Sequence, residues 1–420
     1  MAIPALDRPT RPVGPGFAAA YALAQIGAFI SFIPLLQVLA PLKAEAIDPL
    51  HKTVTLSTVL LYGAIVAGVS NLVAGAVSDR TRSRFGRRKP WLVVGLVGSL
   101  AGYWLIWQAK TPLMLTLGVC FFQLFFNFLF AALNAILPDQ VPDRQKGRFA
   151  AAAALGLPVG TVAGMALVGK VFDTEASRFI GLAVVVTIAL LPLILLLKDR
   201  RLEPDEAPRA PLNWRSLAGT LWLFLRTRRD FAFAWCGRFL VILAHSMIQG
   251  YFLFYLQDAV RYPHLFPGHR AEEGLATLTA VQCVTSVAAA FASGWLSDRL
   301  GRRKIFVTAG ALVLAAGSIG FTFAPTWGAV IGAYLVYGVG TGCFYTLDMA
   351  LIAQVLPRVR DAGKDLGVIN LSNTLPQAIS PMLAVLVLNG LHADYRALFL
   401  AASVICGVGG LLIQPIRGVR

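Results

Sequence analysis

The feature that most constrains this chain is a series of twelve apolar stretches, most of them about 18 residues or longer and nearly free of charge. They fall at 17–41, 53–77, 91–109, 113–137, 148–170, 178–197, 231–257, 273–296, 305–324, 328–356, 366–390 and 396–416. In hydrocarbon the backbone must satisfy its own hydrogen bonds, so each run is expected to be a helix. The alternation at period two that a membrane barrel needs is absent. Only 14% of the 420 residues are charged and 57% are hydrophobic, whereas an average globular domain carries about 25% charged residues. The expected fold class is an all-α membrane protein of twelve transmembrane helices.

The net charge of +16 is a topology signal before it is anything else. One side of the chain collects the N-terminal tail, every second loop, the central loop and the C-terminal tail. That side holds 28 of the 37 Lys and Arg residues; the other side holds 8, and Arg238 lies within a span. This bias places both termini in the cytoplasm and requires an even number of spans. It leaves no charge patch that calls for nucleic acid. The expected location is the plasma membrane, the inner membrane of a bacterium, with lipid as the surrounding partner.

No sequence signal points to catalysis or to a cofactor. The five cysteines (Cys120, Cys236, Cys283, Cys343, Cys406) sit in apolar runs without CxxC spacing. The five histidines show no HExxH spacing, and no phosphate-binding loop occurs, so neither a metal site nor ATP drive is expected. Residues 1–16 read as a short Pro-rich tail rather than a signal peptide.

The chain divides into residues 1–197, a polar central loop at 198–230, and residues 231–420. Trp214 to Arg228 in that loop fits either an amphipathic surface helix or a plain linker. The two parts are duplicates. GAVSDRTRSRFGRRK (Gly75 to Lys89) follows the second span, and GWLSDRLGRRK (Gly294 to Lys304) follows the eighth. LPDQVPDRQKGRF (Leu137 to Phe149) aligns more weakly with AQVLPRVRDAGKDLG (Ala353 to Gly367). Two six-span pseudo-symmetric bundles are therefore expected, an arrangement typical of solute transporters.

These loops resemble the signature of the major facilitator superfamily: Gly75, Asp79 and Arg80, followed by Gly86, Arg87 and Arg88. The inserted Arg82 to Phe85, and Asp365-Leu366-Gly367 with Asn373-Thr374-Leu375-Pro376, are similar to the glycoside–pentoside–hexuronide and sucrose-carrier branch. The resemblance implies the major facilitator fold, with spans 1, 4, 7 and 10 lining a central cavity. It also implies alternating access by a monomer. Melibiose-type members keep acidic residues for sodium in their first two spans; spans 1 and 2 here contain no Asp or Glu and depart from them.

The loop chemistry can be read without the family. Gly75 and Gly294 are expected to permit close helix packing. Asp79 and Asp298 can pair with an arginine or a helix N-terminus and so latch the cytoplasmic side. The candidate gate is Asp79, Arg80, Gly86, Arg87 and Arg88, with Asp298, Arg299, Gly301, Arg302 and Arg303 in the second half. Its basic residues serve equally well as topogenic charges.

Of all the charges, only Arg238 and Asp348 lie deep within spans. A charge there costs a few kcal/mol or more, which makes each a candidate functional residue. Both sit about 12–13 Å from the cytoplasmic ends of their spans, deep enough to match as an ion pair. A static structural pair is the competing explanation. Polar side chains recur on helical faces: Arg238, His245 and Gln249; Gln123, Asn127 and Asn134; Tyr334, Thr341, Tyr345 and Asp348; Asn370, Asn373 and Gln377; and Tyr21 with Gln25. Amides beside aromatics suit sugars, although each amide singly can be interhelical glue. Asp348, Arg238 and His245 are the candidate proton-coupling residues.

The leading expectation is a secondary active transporter that is not an enzyme, carrying a sugar or glycoside with a proton. A second is export of drugs or metabolites, because Gly156, Pro158, Gly160 and Gly164 loosely resemble an antiporter motif. A third is a transport-inactive membrane sensor.

Overall fold

In a computed structural model of the protein, every apolar run is a helix. The described residues are 12–199, 219, 222, 226, 229–324, 326–355, 362–390 and 394–416, and no strand occurs among them. The helices are α1 (Pro15–Ile47), α2 (Lys52–Arg80), α3 (Lys89–Trp107), α4 (Pro112–Gln140), α5 (Asp143–Val171) and α6 (Glu175–Leu196) in the first half. The second half holds α7 (Arg229–Asp258), α8 (Ala271–Leu300), α9 (Arg303–Phe323), α10 (Trp327–Val355), α11 (Ala362–Val385) and α12 (Tyr395–Leu411). Eleven segments are long and apolar enough to cross a membrane; α12, at 17 residues, is shorter. Most helices overrun their apolar runs, because backbone hydrogen bonding continues past the hydrocarbon slab that hydropathy marks. The central segment from Trp214 to Arg228 lies outside the described residues except for Trp222, Arg226 and Gly219.

Local chemistry sets several of the ends. Thr111 caps α4 by accepting from the Met114 amide at 3.2 Å, with Pro112 at the first helical position. Thr174 and Ser177 cap α6 reciprocally. Gly301 adopts φ +64° and closes α8, a left-handed conformation that glycine tolerates best. One-turn π-helical segments occur at Leu35–Leu39, Leu167–Val171 and Leu386–Gly390. The last two end the fifth helix of each half, a repeat that hydropathy does not reveal.

Packing groups the described residues into two units. The first holds residues 12–43 and 66–199; the second holds 44–65 and the residues from 219 onward. The duplication shows in burial. The second and fifth helices of each half, α2, α5, α8 and α11, are 22–33% buried, against 39–67% for the other long helices.

In the first unit, α3 meets α4 through Gly95, Gly98 and Gly102. A Cβ at these positions would lie 2.6, 2.1 and 2.8 Å from atoms of Leu129, Phe125 and Phe122. The second unit repeats this contact, with Gly310 and Gly317 of α9 against the Phe344 and Tyr337 amides of α10. The aromatic cores follow suit. Phe122, Phe126 and Phe130 stack in the first unit, and Phe252, Phe321, Tyr334 and Phe399 cluster in the second. Large apolar side chains such as Val97, Ile188 and Phe291 stay more than 60% exposed, which is what a lipid-facing surface requires.

Two expectations about glycine change. Gly75 and Gly294 do not support close packing: a Cβ at Gly75 would meet nothing within 4 Å, and one at Gly294 only Thr346 at 4.0 Å. Those helix faces point away from their neighbours. Gly156, Gly160 and Gly164 instead form the seam between α5 and α1, against Gln25, Ile26, Phe29 and Pro34. A Cβ at Gly160 would lie 2.6 Å from the Ile26 carbonyl oxygen, a backbone atom that cannot rotate aside. We therefore expect Gly160→Val to destabilise the first unit by about 1–3 kcal/mol, read as a lower thermal midpoint in detergent. An unchanged midpoint would show that the seam relaxes freely.

Candidate functional site

Arg238 on α7 and Asp348 on α10 meet, as their matched depths predict. One terminal nitrogen of the guanidinium contacts Asp348 Oδ2, and the other donates to Asn373 Oδ1 on α11 at 2.7 Å. Arg238 is 4% exposed and Asp348 0%. Neither group is saturated. Arg238 Nε and Asp348 Oδ1 have no hydrogen-bond partner among the described residues. A purely structural bridge needs its remaining donors and acceptors satisfied to offset the desolvation of two charges. This pair lacks that closure, so a proton or a polar ligand group has a defined place to bind.

Two turns along α7, His245 joins the same unit. Its Nδ1 lies 2.6 Å from the Tyr337 hydroxyl. The two rings stack at 5.7 Å, and Tyr345 approaches edge-on at 5.6 Å. Tyr334, also on α10, is buried, and its hydroxyl has no partner among the described residues. Gln249 Nε2 reaches only to 3.5 Å from Gln282 Oε1, the outer limit of a hydrogen bond. Gln377 is exposed, and the side chains of Asn370, Asp365, Leu366 and Gly367 lie outside the described residues.

The first unit has its own polar cluster. Gln25 Nε2 on α1 donates to the Tyr21 hydroxyl at 3.0 Å and to Asn134 Oδ1 on α4 at 3.2 Å. Asn127 accepts from Asn71 on α2 at 3.2 Å and donates to the Gln123 carbonyl at 2.8 Å. Asn127 is thus engaged as interhelical glue, whereas the buried Gln123 Oε1 has no partner among the described residues.

The two Ser-Asp-Arg loops differ. In the first, Arg88 is 4% exposed and binds three acceptors: Nε to Asp139 at 2.8 Å, and its terminal nitrogens to Ser78 and Asp79. Arg87 holds the other oxygen of Asp139 at 2.6 Å. Burial opposes the Arg88 charge, but Asp139 and Asp79 outweigh it and raise the guanidinium pKa above its ordinary value. Gly86 takes φ +98°, and a Cβ there would collide with Asp199. The Asp199 carboxylate accepts from the Arg88 and Lys89 amides and so binds the start of α3. Arg80 is exposed.

In the second loop, Arg303 reaches Asp298 at 2.9 Å, and the Asp298 side chain is 69% exposed. Arg299 lies over Trp295 at 5.4 Å, and Arg302 is exposed. Ser297, the counterpart of Ser78, is fully buried with its hydroxyl unpartnered among the described residues.

Sequence reasoning missed Asp139, Asp199, Asn71 and Tyr337. Asp139 carried a signal, as an acid at the end of a span facing a strongly basic loop. Tyr337 continues the α10 stripe. Asp199 had none, since its partners are backbone amides 111 and 110 positions away. Burial alone also misleads, because Arg88, Arg178 and Glu272 are buried near helix ends rather than at depth. No group of three or more His, Cys, Asp and Glu that could hold a metal occurs among the described residues.

Comparison with known proteins gives the same architecture. A crystal structure of the nucleoside transporter NupG superposes with a TM-score of 0.73 at 14% identity, covering 94% of this chain and 99% of the other. One of the peptide transporter POT gives 0.76 at 13% identity, covering 98% and 96%. At these identities the likeness shows the fold alone. An uncharacterized symporter of Synechocystis is 25% identical over 242 residues, 50% of this chain and 43% of its own. An inner membrane metabolite transport protein of Escherichia coli is 38% identical over 65 residues, 16% of this chain and 14% of its own. The chain thus spans less than half the length of these relatives. The profile of the MFS/sugar transport protein family, by contrast, matches residues 52–403, and the chain belongs to that family of membrane transporters.

Proposed function

We propose that this transporter carries a sugar or glycoside together with a proton, by alternating access. The observation that carries the coupling is the buried, unsaturated contact of Arg238 and Asp348. In this reading Asp348 takes the proton and Arg238 provides the compensating charge. Protonation would neutralise the carboxylate and free the guanidinium to bind a solute hydroxyl. His245 belongs to the same set, because its ring nitrogen shares a hydrogen with Tyr337.

Sugar rings offer apolar faces and hydroxyl rims, which suit aromatics interleaved with amides. Tyr345, His245, Gln249 and Asn373 supply these in the second unit, and Tyr21, Gln25, Gln123, Asn127 and Asn134 supply them in the first. The Arg88 and Arg303 loops are the proposed cytoplasmic gate, with both termini on that side. The division into two six-helix bundles at 198–230 and the monomeric state belong to the same proposal.

Uptake of radiolabelled sugars by proteoliposomes, with and without an inward proton gradient, tests this. For one proton per solute, each pH unit supports accumulation of up to about tenfold, since 1.4 kcal/mol is tenfold in an equilibrium. Downhill uptake without any response to the gradient would remove the coupling. The absence of sugar uptake, with drug efflux in its place, would remove the substrate class.

A further inference from the structure

Packing fixes Tyr337 on α10 independently of its hydroxyl. Gly317 of α9 comes so close that a Cβ there would lie 2.6 Å from the Tyr337 amide nitrogen. The Tyr337 ring packs against Phe321 at 5.5 Å and Tyr334 at 5.8 Å, and the residue is 0% exposed. Its hydroxyl has one hydrogen-bond partner among the described residues, Nδ1 of His245 at 2.6 Å. We propose that Tyr337 is a positioning residue. It donates to Nδ1, fixes His245 as the neutral tautomer with its proton on Nε2, and so presents Nε2–H to an oxygen of the transported sugar. That the acceptor is a sugar oxygen rests on the function proposed above; the tautomer stands without it.

Counting hydrogens selects the tautomer. A phenol has one hydrogen to give, and a neutral imidazole has one N–H and one lone pair. If Nδ1 held the proton and donated it to Tyr337, the phenol hydrogen would have no acceptor in an enclosed site. An imidazolium causes the same loss, because both of its nitrogens donate. With Tyr337 as the donor, its hydrogen and Nδ1 are both satisfied, and the N–H left over is at Nε2. That group is able to meet a ligand. His245 is half-buried, and its Nε2 makes no hydrogen bond among the described residues yet keeps accessible surface. Depriving a buried hydroxyl of its acceptor shifts an equilibrium by about tenfold or more, enough to set the tautomer. Tyr337 thereby leaves the proton to Asp348 and gives His245 the part of a neutral donor.

The neighbours of His245 have capacity to spare. Tyr345 approaches it edge-on at 5.6 Å, is itself half-buried, and its hydroxyl makes no hydrogen bond among the described residues. Gln249, one turn further along α7, is half-buried and only marginally bonded to Gln282 at 3.5 Å. A solute hydroxyl that accepts from Nε2 would find other polar groups within reach. A neutral donor also adds no second cation to a span that already buries Arg238.

The test uses the full-length protein, in detergent for spectroscopy and in proteoliposomes for transport. Nitrogen NMR on protein labelled at its histidine ring nitrogens distinguishes protonated from unprotonated positions, and His245→Gln identifies the His245 signals. Near neutral pH we expect a protonated Nε2 and an unprotonated Nδ1 in wild type. Tyr337→Phe keeps the ring and loses the hydroxyl, so the tautomer ratio should fall about tenfold. Counterflow of radiolabelled glucose, xylose, melibiose and sucrose gives the transport readout. The amide nitrogen of Gln reaches the place of Nε2, whereas that of Asn reaches the place of Nδ1. For a sugar that wild type carries, His245→Gln should keep KM within about threefold, and His245→Asn should raise it about tenfold or more. A merely structural contact with Tyr337 gives the reverse order, because Asn preserves that contact and Gln does not. An Nδ1-protonated or doubly protonated His245 in wild type would overturn the tautomer, whatever the variants do. KM values better preserved in His245→Asn than in His245→Gln would overturn the donor role. If wild type carried none of the four sugars, the sugar contact would fall with the substrate class, and the nitrogen signals would still decide the tautomer.

Discussion

Asp348→Asn is expected to abolish solute accumulation driven by a proton gradient while leaving solute exchange at equal pH intact. The amide has the shape of the carboxyl and still offers Oδ1 to the guanidinium of Arg238. The α7–α10–α11 contact through Arg238, Asp348 and Asn373 is then weakened rather than removed. What the amide lacks is a site for a proton. If Asp348 carries the coupled proton, the variant becomes a carrier that equilibrates solute without concentrating it. Asp348→Ala is a poorer test, because it removes the hydrogen-bond acceptor as well as the charge and leaves the buried guanidinium of Arg238 without a partner on α10. Counterflow and accumulation should be measured on the same vesicles. Accumulation that survives in Asp348→Asn, with counterflow unchanged, would assign the proton elsewhere and leave the pair a structural role.

Much of this pair was legible in the sequence because charge is rare in these spans. Against an apolar background, Arg238 and Asp348 stand out by type, and a rise of 1.5 Å per residue converts position into depth. Asn373 was legible only as one member of a stripe. Which stripe members turn inward depends on helix rotation, which hydropathy does not fix, and so Gln377 is exposed while Asn373 reaches Arg238.

Helix number and repeat were likewise readable, since bilayer thickness sets one and duplicated loops the other. The glycine seams were harder. Gly75, inside a recognisable motif, faces open space, whereas Gly160 meets a backbone carbonyl. Close approach is a property of two helices, and a single run of residues names only one of them. The same limit hid Asp139 and Asp199, whose partners lie in other loops.

Arg88→Ala is expected to lower the stability of the first unit by about 3–5 kcal/mol, the cost of removing one partner from a buried charge network. Arg88 joins Ser78, Asp79 and Asp139, with one donor for each. Its loss leaves Asp139, whose side chain is 14% exposed, with Arg87 as its remaining cation in the loop, and Ser78 buried without its donor. Arg88→Lys should rescue little, because an ammonium is a point charge and cannot reproduce the planar fork that spans three acceptors. Asp139→Asn, which weakens two ion pairs but keeps an acceptor, should fall between wild type and Arg88→Ala. The contribution of Arg88 should not titrate near neutrality. A group whose pKa is raised by folding stabilises below its unfolded value and loses that effect only as the pH rises through the folded value, here far into alkali. The deficit of Arg88→Ala relative to wild type should therefore be the same at pH 6 and pH 9, as read by thermal midpoints in detergent. The corresponding change at Arg303, whose partner Asp298 is mostly exposed, should cost under about 1 kcal/mol. Equal losses at Arg88 and Arg303 would show that the two loops bear equal load, and would contradict the asymmetry of their contacts.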